Sequence, residues 1–226
     1  MQICTQLHMK TNGLRIVFTD HSLFGFSDTA SIHINKCLKW ILTEIDACIC
    51  VSHTNKENLT LRTAVSPSVI HVIPNAVDTS RFLPDRTLID PKNKINIVIV
   101  SRIHYRKGMD FLIDIIPETL KKFPNAHFII GGDGPKMPLL VELRDKYNLR
   151  DRMELLGHVP HNKVREVLCR GHIFLNTSLT EAFCIAIIEA ASCGLVCVST
   201  DVGGIPEVLP SDMIYLAAPK SRALCD

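Results

Sequence analysis

Two glutamates, Glu181 and Glu189, stand eight positions apart and enclose an apolar run that predicts a buried helix. A helix rises about 1.5 Å per residue, so the two carboxylates would lie roughly 12 Å apart along its axis. Each could accept hydrogen bonds from hydroxyl groups at opposite ends of an elongated ligand such as a nucleotide-sugar. The spacing alone is weak evidence, because two unrelated acids on one helix would have the same pattern.

Basic residues in the segment SRIHYRKG, residues 101–108, form a second candidate set. The segment follows a predicted strand at residues 95–100, and ligands of parallel sheets bind beyond such strand ends. Arg102 offers a planar fork of donors and Lys107 offers a mobile point charge, a combination that suits a diphosphate. The competing interpretation is a solvated basic loop that binds no ligand.

Two glycine-rich segments also follow predicted strands. Gly203 and Gly204 precede Pro206 and Glu207, and we expect this turn and the helix start behind it to present backbone amides to an anion. An ordinary loop is the alternative. The segment GGDGP at residues 131–135 does not match the spacing of a dinucleotide-binding loop, so we interpret it as a tight turn.

The histidine at position 21 follows a predicted strand at residues 15–19. A single histidine in such a place is more often structural than catalytic, so its type alone assigns no role. His158 and His161 lack a clear third ligand, and the sequence therefore indicates no metal site. The sequence contains no G-x-S-x-G segment, which disfavours a serine hydrolase.

The composition is that of a globular chain able to bury a substantial core, with 226 residues, 46% hydrophobic and 21% charged. A formal net charge of +2 and the lack of charge runs disfavour nucleic-acid binding. The nine cysteines contain no C-x-x-C pair, so we expect buried free thiols in a reducing compartment. No apolar stretch reaches the about 18 residues needed to cross a bilayer, and the N-terminus does not read as a secretory signal.

From residue 94 onward, short β-branched runs alternate with amphipathic segments, which predicts a parallel sheet with helices on both faces. The predicted strands are residues 95–100, 127–130, 153–156, 172–176, 196–199 and 213–216. The predicted helices are residues 109–123, 137–147, 162–169 and 182–193. We therefore expect residues 94–226 to form one complete, doubly wound Rossmann-like domain of the α/β class.

Residues 1–93 are expected to contain part of another Rossmann-like domain and a linker. Strands are predicted at residues 15–19, 47–51 and 69–73, and helices at residues 32–43 and 55–65. Three strands make about half of a six-stranded doubly wound unit, so this domain is expected to be shortened. The turn-rich residues 74–91 predict the linker, and we place the domain boundary near Asn93.

The ordered motifs of the second domain resemble those of retaining family-four glycosyltransferases of GT-B fold. They are SRIHYRKG (101–108), GGDGP (131–135), LGHV (156–159), the Glu181 and Glu189 pair, and GGIPEV (203–208). A narrower resemblance, to the members that act on phosphatidylinositol, is carried by TDHSLFGF (19–26), CVSHT (50–54), IPNAVD (73–78) and NTSLTEAFC (176–184). It covers nearly all of the chain, from about residue 13 to residue 218, and it implies that residues 1–93 belong to the acceptor-side domain.

The resemblance implies a donor site for UDP-N-acetylglucosamine (UDP-GlcNAc). Glu189 would hold the ribose hydroxyls of the nucleotide, and Glu181 would contact the hydroxyls of the sugar. Arg102 and Lys107 would bind the diphosphate and stabilise the departing UDP.

The same resemblance implies that Gly203 and Gly204 lie along the donor. His21 would face the sugar and help to stabilise the transition state. The anomeric configuration would be retained without a protein nucleophile, and neither a metal nor another cofactor would be obligatory.

The function implied by the resemblance is transfer of N-acetylglucosamine from UDP-GlcNAc to phosphatidylinositol, the first step of glycosylphosphatidylinositol (GPI) anchor synthesis. The implied partners are the other subunits of a membrane-associated complex at the cytoplasmic face of the endoplasmic reticulum, whereas the chain alone is expected to be soluble. We expect the chain to be shortened at both ends, which puts its activity and membrane attachment in question. Two alternatives stay open: a non-catalytic module that binds UDP-sugar or other subunits, and a family-four enzyme with another donor or acceptor.

Overall fold

The computed structural model describes residues 11–26, 28–89, 94–220 and 222–224, and its contacts divide the chain into two compact units. The N-terminal unit comprises Met1–Asn75 together with Glu181–Phe183. The C-terminal unit comprises Ala76–Thr180 and Cys184–Asp226. The chain thus leaves the N-terminal unit after Asn75, and the predicted boundary near Asn93 lies outside the described residues.

The N-terminal unit is built on a parallel sheet with helices. Its described strands are β1 (Val17–Asp20), β2 (Ala47–Cys50) and β3 (Ile70–Val72), and its described α-helices are α1 (Thr29–Ile41) and α2 (His53–Thr63). The sheet order is β1-β2-β3. Cys48 and Cys50 of the central strand are fully buried. They pack in a cluster with Leu42, Leu59 and Ile70.

Both helices of the N-terminal unit begin earlier than predicted, because capping residues stand in front of them. Asp28 Oδ1 accepts a hydrogen bond from Ser31 N at 2.8 Å, which starts α1. Ser52 Oγ accepts one from Asn55 N at 3.0 Å, which starts α2. Capping therefore decides these boundaries more directly than the apolar pattern does.

The C-terminal unit has the predicted doubly wound fold. Its strands are β4 (Ile95–Val100), β5 (Ala126–Gly131), β6 (Met153–Gly157), β7 (Ile173–Asn176), β8 (Val196–Thr200) and β9 (Ile214–Ala217). Its α-helices are α3 (Leu112–Lys122), α4 (Met137–Lys146), α5 (Val164–Leu168) and α6 (Ile185–Ser192). Alternate residues of β4 enter different buried clusters, Ile97 and Ile99 one and Val98 the other, so both faces of the sheet are covered.

The strand order places a topological switch point between β4 and β7. The all-parallel sheet has the order β6-β5-β4-β7-β8-β9. The chain moves from β4 outward to β5 and β6, and it then returns to the other side of β4 as β7. Ligands of open parallel sheets bind beyond the carboxyl ends of the strands at such a point. The loops after β4 and β7 are therefore where this fold favours a ligand site.

The helix predicted at residues 182–193 begins later, at Ile185, so the prediction that Glu181 and Glu189 share one helix is wrong. Cys184, in front of α6, has an extended backbone with φ −118° and ψ 92°. Within the N-terminal unit, the Ala182 carbonyl oxygen accepts a hydrogen bond from Ser52 Oγ at 2.7 Å. That hydroxyl takes the place of a helical amide donor, and the axial spacing of roughly 12 Å no longer applies.

Two expectations from composition can be compared with the structure. No helix among the described residues is long and apolar enough to cross a membrane. The described cysteines are free thiols, and all of them except Cys37 are buried. The buried thiols therefore pack as small apolar side chains.

Candidate functional site

The loops that follow β4 and β7 lie side by side at the switch point of the C-terminal unit. Leu179 N donates to the Arg106 carbonyl oxygen at 2.9 Å. The buried Thr177 donates through Oγ1 to the Lys107 carbonyl oxygen at 2.8 Å. These bonds fix the backbone of the loop that carries the predicted residues Arg102, which is exposed, and Lys107, which is half-buried.

Gly108 ends this loop at a position where no side chain fits. Its φ is +65°, in the left-handed region that favours glycine. A Cβ atom built on it would overlap the carbonyl oxygen of Thr177. Glycine is therefore required for the backbone conformation and also for the close approach of the two loops.

Alanine at Gly108 is expected to destabilise the chain more than alanine at Gly157. Gly157 is a matched control, because its φ is +68° and a Cβ there would meet no heavy atom within 4 Å. Gly157→Ala should cost only the left-handed strain, about 1 kcal/mol of unfolding free energy. Gly108→Ala should cost about 2 kcal/mol more, because the loop after β7 must move. Urea unfolding of both variants measures the difference, and equal losses would contradict the close approach.

The GGDGP turn supports the loop after β4. Ile103 N donates to the Asp133 carbonyl oxygen at 2.9 Å. A Cβ at Gly132 would overlap the Ser101 carbonyl oxygen, so the two backbones lie in direct contact. These glycines therefore have a packing role, in agreement with their interpretation as a tight turn.

A network of buried hydroxyl and amide groups joins the ends of β7 and β8. Asn176 Nδ2 donates to Ser199 Oγ at 2.9 Å, and Ser178 Oγ donates to Asn176 Oδ1 at 2.9 Å. Thr200 Oγ1 donates to the Ser178 carbonyl oxygen at 2.5 Å. None of these residues is more than 6% exposed. The network fixes the start of the loop after β7 against the strand that leads to Gly203.

Valine at Thr200 is expected to lower the free energy of unfolding by about 1–3 kcal/mol, because it keeps the shape but removes the donor to Ser178. Thr63→Val is the matched control. The buried Thr63 hydroxyl donates to the Leu59 carbonyl oxygen of its own helix at 2.7 Å and accepts from Val65 N at 3.4 Å, so its bonds are local, whereas that of Thr200 joins distant segments. Thermal unfolding should show a clearly larger loss of stability for Thr200→Val than for Thr63→Val. Equal losses would contradict a structural role of the network.

Glu189 is a buried carboxylate on the second turn of α6. It is 9% exposed. Burial raises the pKa of its carboxyl above the usual value, and the nearby His161 imidazole partly offsets that rise. Among the described residues, no hydrogen bond or ion pair reaches this carboxylate. The carboxylate oxygens are not fully enclosed, because Arg144 Nε is the one fully buried side-chain polar atom without a partner among the described residues. A largely buried acid whose oxygens stay accessible fits a ligand that donates hydrogen bonds.

Gly203 and Gly204 form a turn after β8, at the same sheet edge. Gly203 has φ +55°, and Gly204 is buried. The helix start predicted behind them is a single 3-10 turn, Ile205–Glu207, rather than an α-helix. Pro210 restricts the residue before it to extended backbone, which explains why the turn does not continue as an α-helix.

Two of the predicted site residues, Glu181 and His21, belong to the N-terminal unit. His21 is exposed and directly follows β1. Asp20, the last residue of β1, is buried and pairs with Arg62 of α2 at 3.5 Å. Its Oδ1 also accepts from Ser22 N at 3.1 Å and from Ser22 Oγ at 2.7 Å. The buried carboxylate therefore holds the backbone on both sides of His21.

Sequence reasoning missed three side chains of α2 that hold this loop. Asn55 Nδ2 donates to the Ser22 carbonyl oxygen at 2.9 Å, and Asn58 Nδ2 donates to the Phe24 carbonyl oxygen at 3.1 Å. The guanidinium of Arg62 lies over the Phe24 ring, 4.7 Å from its centroid. Their spacing of three and four residues puts them on one helix face, a signal that the sequence contains.

Five of the seven predicted site residues belong to the C-terminal unit. Arg102, Lys107, Glu189 and the diglycine turn lie on elements at the carboxyl edge of the C-terminal sheet, whereas Glu181 and His21 lie in the other unit. No set of three or more His, Cys, Asp or Glu side chains suited to a metal ion occurs in the described part of the chain. The first group can offer cations to a diphosphate and an acceptor to hydroxyl groups.

Family models cover both parts of the sequence. The model described as "Glycosyl transferases group 1" matches residues 94–226, and the model described as "Glycosyltransferase Family 4" matches residues 3–81. A phosphatidylinositol N-acetylglucosaminyltransferase subunit of Arabidopsis thaliana is 58% identical over 94% of this chain and 47% of its own length. The human protein of the same name is 57% identical over 97% of this chain and 45% of its own length. The chain spans about half the length of these curated relatives.

Solved structures share the fold at low sequence identity. Anabaena HepE in complex with UDP-glucose has a TM-score of 0.84 and 19% identity, over 99% of this chain and 64% of that one. The pneumococcal O-GlcNAc transferase GtfA in complex with UDP and GlcNAc has a TM-score of 0.74 and 18% identity, over 98% of this chain and 47% of that one. At such identities the likeness establishes the fold alone, and it agrees with the predicted GT-B type.

Proposed function

The chain belongs to the group 1 glycosyl transferases, and on this basis we propose that it transfers N-acetylglucosamine from UDP-GlcNAc to phosphatidylinositol. The observation that carries the proposal is the buried Glu189 carboxylate, on the helix that follows the loop at the switch point. A nucleotide-sugar has a ribose diol that donates hydrogen bonds and a diphosphate that accepts them. The names of the relatives supply the sugar and the acceptor.

In this proposal the donor lies along the carboxyl edge of the C-terminal sheet. Glu189 accepts hydrogen bonds from the ribose hydroxyls, which replace water that its largely buried side chain can reach only in part. Arg102 and Lys107 bind the diphosphate. Gly203 and Gly204 line the donor without side chains. The bonds from Thr177 and Leu179 support this arrangement, because they fix the loop that carries the two cations.

Transfer breaks the bond between the anomeric carbon and the β-phosphate oxygen of UDP, and it forms a bond from that carbon to an inositol hydroxyl oxygen. The departing UDP gains negative charge, which Arg102 and Lys107 would stabilise. The acceptor hydroxyl loses a proton, which the departing diphosphate oxygen can take up. We propose retention of the anomeric configuration, with no residue assigned as a nucleophile and no obligatory metal.

Two residues of the N-terminal unit are also proposed to act in the transfer. Glu181 would contact the sugar hydroxyls, and His21 would help to stabilise the transition state. His21 is supported by its exposed ring, on a loop that the buried Asp20 and Arg62 pair holds in place. Glu181 is supported by its place in the segment that connects β7 to α6.

The setting follows from the acceptor and from the names of the relatives. Phosphatidylinositol is a membrane lipid, and the relatives are named as subunits. We therefore propose that the chain acts with other subunits in a membrane-associated complex at the cytoplasmic face of the endoplasmic reticulum. The transfer would be the first step of GPI anchor synthesis.

Donor competition tests the proposal. A fluorescent UDP analogue bound to the purified chain is titrated with UDP-GlcNAc, UDP-glucose and GDP-mannose. UDP-GlcNAc should displace the analogue at the lowest concentration, and GDP-mannose should not displace it. Equal displacement by all three compounds, or displacement by none, would overturn the donor assignment.

A further inference from the structure

The loop that carries the exposed His21 has no regular structure of its own. Residues 21–25 follow β1 and belong to no helix or strand. The conformation of such a segment depends on which groups bind its backbone amides and carbonyls. Here these groups belong to side chains of α2, and the first of them is the buried Asn55, whose Nδ2 donates to the Ser22 carbonyl oxygen at 2.9 Å.

Asn58, one turn further along α2, binds the backbone of Phe24 at two points. Its Nδ2 donates to the Phe24 carbonyl oxygen at 3.1 Å, and its Oδ1 accepts from Phe24 N at 3.4 Å. An opposite residue in an antiparallel sheet forms the same pair of bonds. The two bonds together fix both the position and the orientation of the loop at Phe24.

The guanidinium of Arg62 contacts residues on both sides of His21. Its Nη1 lies 3.5 Å from Asp20 Oδ2, and its central carbon lies 4.7 Å from the centroid of the Phe24 ring. Asp20 and Arg62 are both buried. A buried ion pair seldom stabilises a fold more than apolar residues of similar size would, so this one favours a positional role. Asp20 directly precedes His21 and Phe24 follows three positions later, so one side chain holds the loop before and after the imidazole.

We propose that Asn58 and Arg62 are positioning residues for the transfer, and that they hold the His21 imidazole where it stabilises the transition state. They are called the α2 clamp below. This role rests on the proposed function, because it affects turnover only through His21. A catalytic group that is displaced by about 1 Å can lose on the order of a hundredfold in rate. Loss of the clamp should therefore lower kcat and leave donor binding almost unchanged.

Hydrogen exchange tests the α2 clamp without turnover. Asn58→Ala removes both bonds to Phe24, whereas Glu57→Ala, at the exposed neighbouring position of α2, removes neither. Exchange in a peptide that covers residues 21–26 should be about tenfold faster in Asn58→Ala than in the wild-type chain, because two neutral hydrogen bonds are lost. Glu57→Ala should exchange like the wild type. Equal exchange in all three proteins would overturn the proposal.

Transfer kinetics test whether the clamp acts through the imidazole. Asn58→Ala should lower kcat about 10- to 100-fold and leave KM for UDP-GlcNAc within about threefold of the wild-type value. In a His21→Ala background, the same substitution should lower kcat by less than about twofold, because the group that it positions is already absent. A merely structural role would give the full loss in both backgrounds, and that result would overturn the proposal.

Arg62→Lys is the second variant, since deletion of Arg62 would leave Asp20 buried without its charge partner. Lysine keeps the charge but lacks the planar fork, so kcat should fall about tenfold, again only when His21 is present. If His21→Ala lowers kcat as expected while Asn58→Ala and Arg62→Lys match Glu57→Ala, the positioning role fails and the proposed function stands. A wild-type chain that gives no product contradicts the proposed function and this role together.

Discussion

Glutamine in place of Glu189 is expected to weaken UDP binding about a hundredfold while leaving the chain at least as stable. Each hydrogen bond from a ribose hydroxyl to a charged acceptor contributes about 1.5–3 kcal/mol, and the neutral amide keeps the shape but loses the charge. A hundredfold change in affinity corresponds to about 2.7 kcal/mol of binding free energy. This change equals the loss of about one strong hydrogen bond or the weakening of two. Titration calorimetry of UDP against both proteins measures it.

The stability half of this prediction follows from the sign of the pKa shift. Burial raises the pKa of Glu189, so the folded state favours the neutral carboxyl. The ionised carboxylate therefore destabilises the folded state. This loss of stability begins as the pH rises above the ordinary pKa of the unfolded chain, and it is complete above the raised pKa of the folded chain. Glu189→Gln should match or exceed the unfolding temperature of the wild-type chain at neutral pH, and this difference should vanish in acid. UDP affinity of the wild-type chain should fall as the carboxyl protonates.

Glu166→Gln is the control for both measurements. Glu166 is an exposed acid that pairs with Lys163 at 2.7 Å on the surface of the same unit. Its replacement should leave UDP affinity unchanged, because surface pairs of this kind contribute little. A Glu189→Gln variant that bound UDP as tightly as the control would contradict the proposed contact between Glu189 and the ribose. One that unfolded at a clearly lower temperature would instead show that the carboxylate has a structural partner.

Alanine at Arg102 or at Lys107 is expected to lower kcat for transfer by about 10²- to 10³-fold. The physical reason is that the charge on the diphosphate grows as UDP departs, so a cation there stabilises the transition state more than the bound donor. KM for the donor should rise much less than kcat falls. Transfer kinetics with labelled UDP-GlcNAc, measured in the reconstituted transferase, separate the two constants.

Arg106→Ala is the matched control in the same loop. The Arg106 carbonyl oxygen accepts from Leu179 N, and that backbone contact survives the substitution. Its kcat should stay within about threefold of wild type. Equal losses of kcat in all three variants would mean that the total positive charge of the loop matters, rather than Arg102 and Lys107 specifically. A rise in KM with unchanged kcat at Arg102 and Lys107 would limit those residues to donor binding.

The C-terminal sheet could be predicted from the sequence because its strands are buried on both sides. β4 reads INIVIV, a β-branched run that neither a turn nor an amphipathic helix would give. The first and last residues of such a run match the ends of the strand to within a few residues. Because parallel strands share one carboxyl edge, the Arg102 loop and the loop after β7 are expected at that edge. The strand order, which makes these two loops neighbours, comes from the structure.

The parts that could not be predicted depend on contacts between distant segments. The start of α6 at Ile185 is set by a backbone that is already engaged, since the Ala182 carbonyl oxygen accepts from Ser52, 130 positions away in sequence. Sequence periodicity likewise does not predict the hydrogen-bond network of Asn176 and Ser199, because polar residues at strand ends usually indicate a turn. Tertiary hydrogen bonds, rather than local propensity, decide both features.

Transfer of labelled N-acetylglucosamine to phosphatidylinositol, in membrane extracts that lack the native enzyme, tests the proposed activity itself. We expect labelled lipid when the chain is added, none with Glu189→Gln, and normal product with Glu166→Gln. A full-length relative serves as the positive control. If that control gives product while the chain gives none, despite binding UDP-GlcNAc, the proposed transfer is contradicted and the chain is a module that binds the donor.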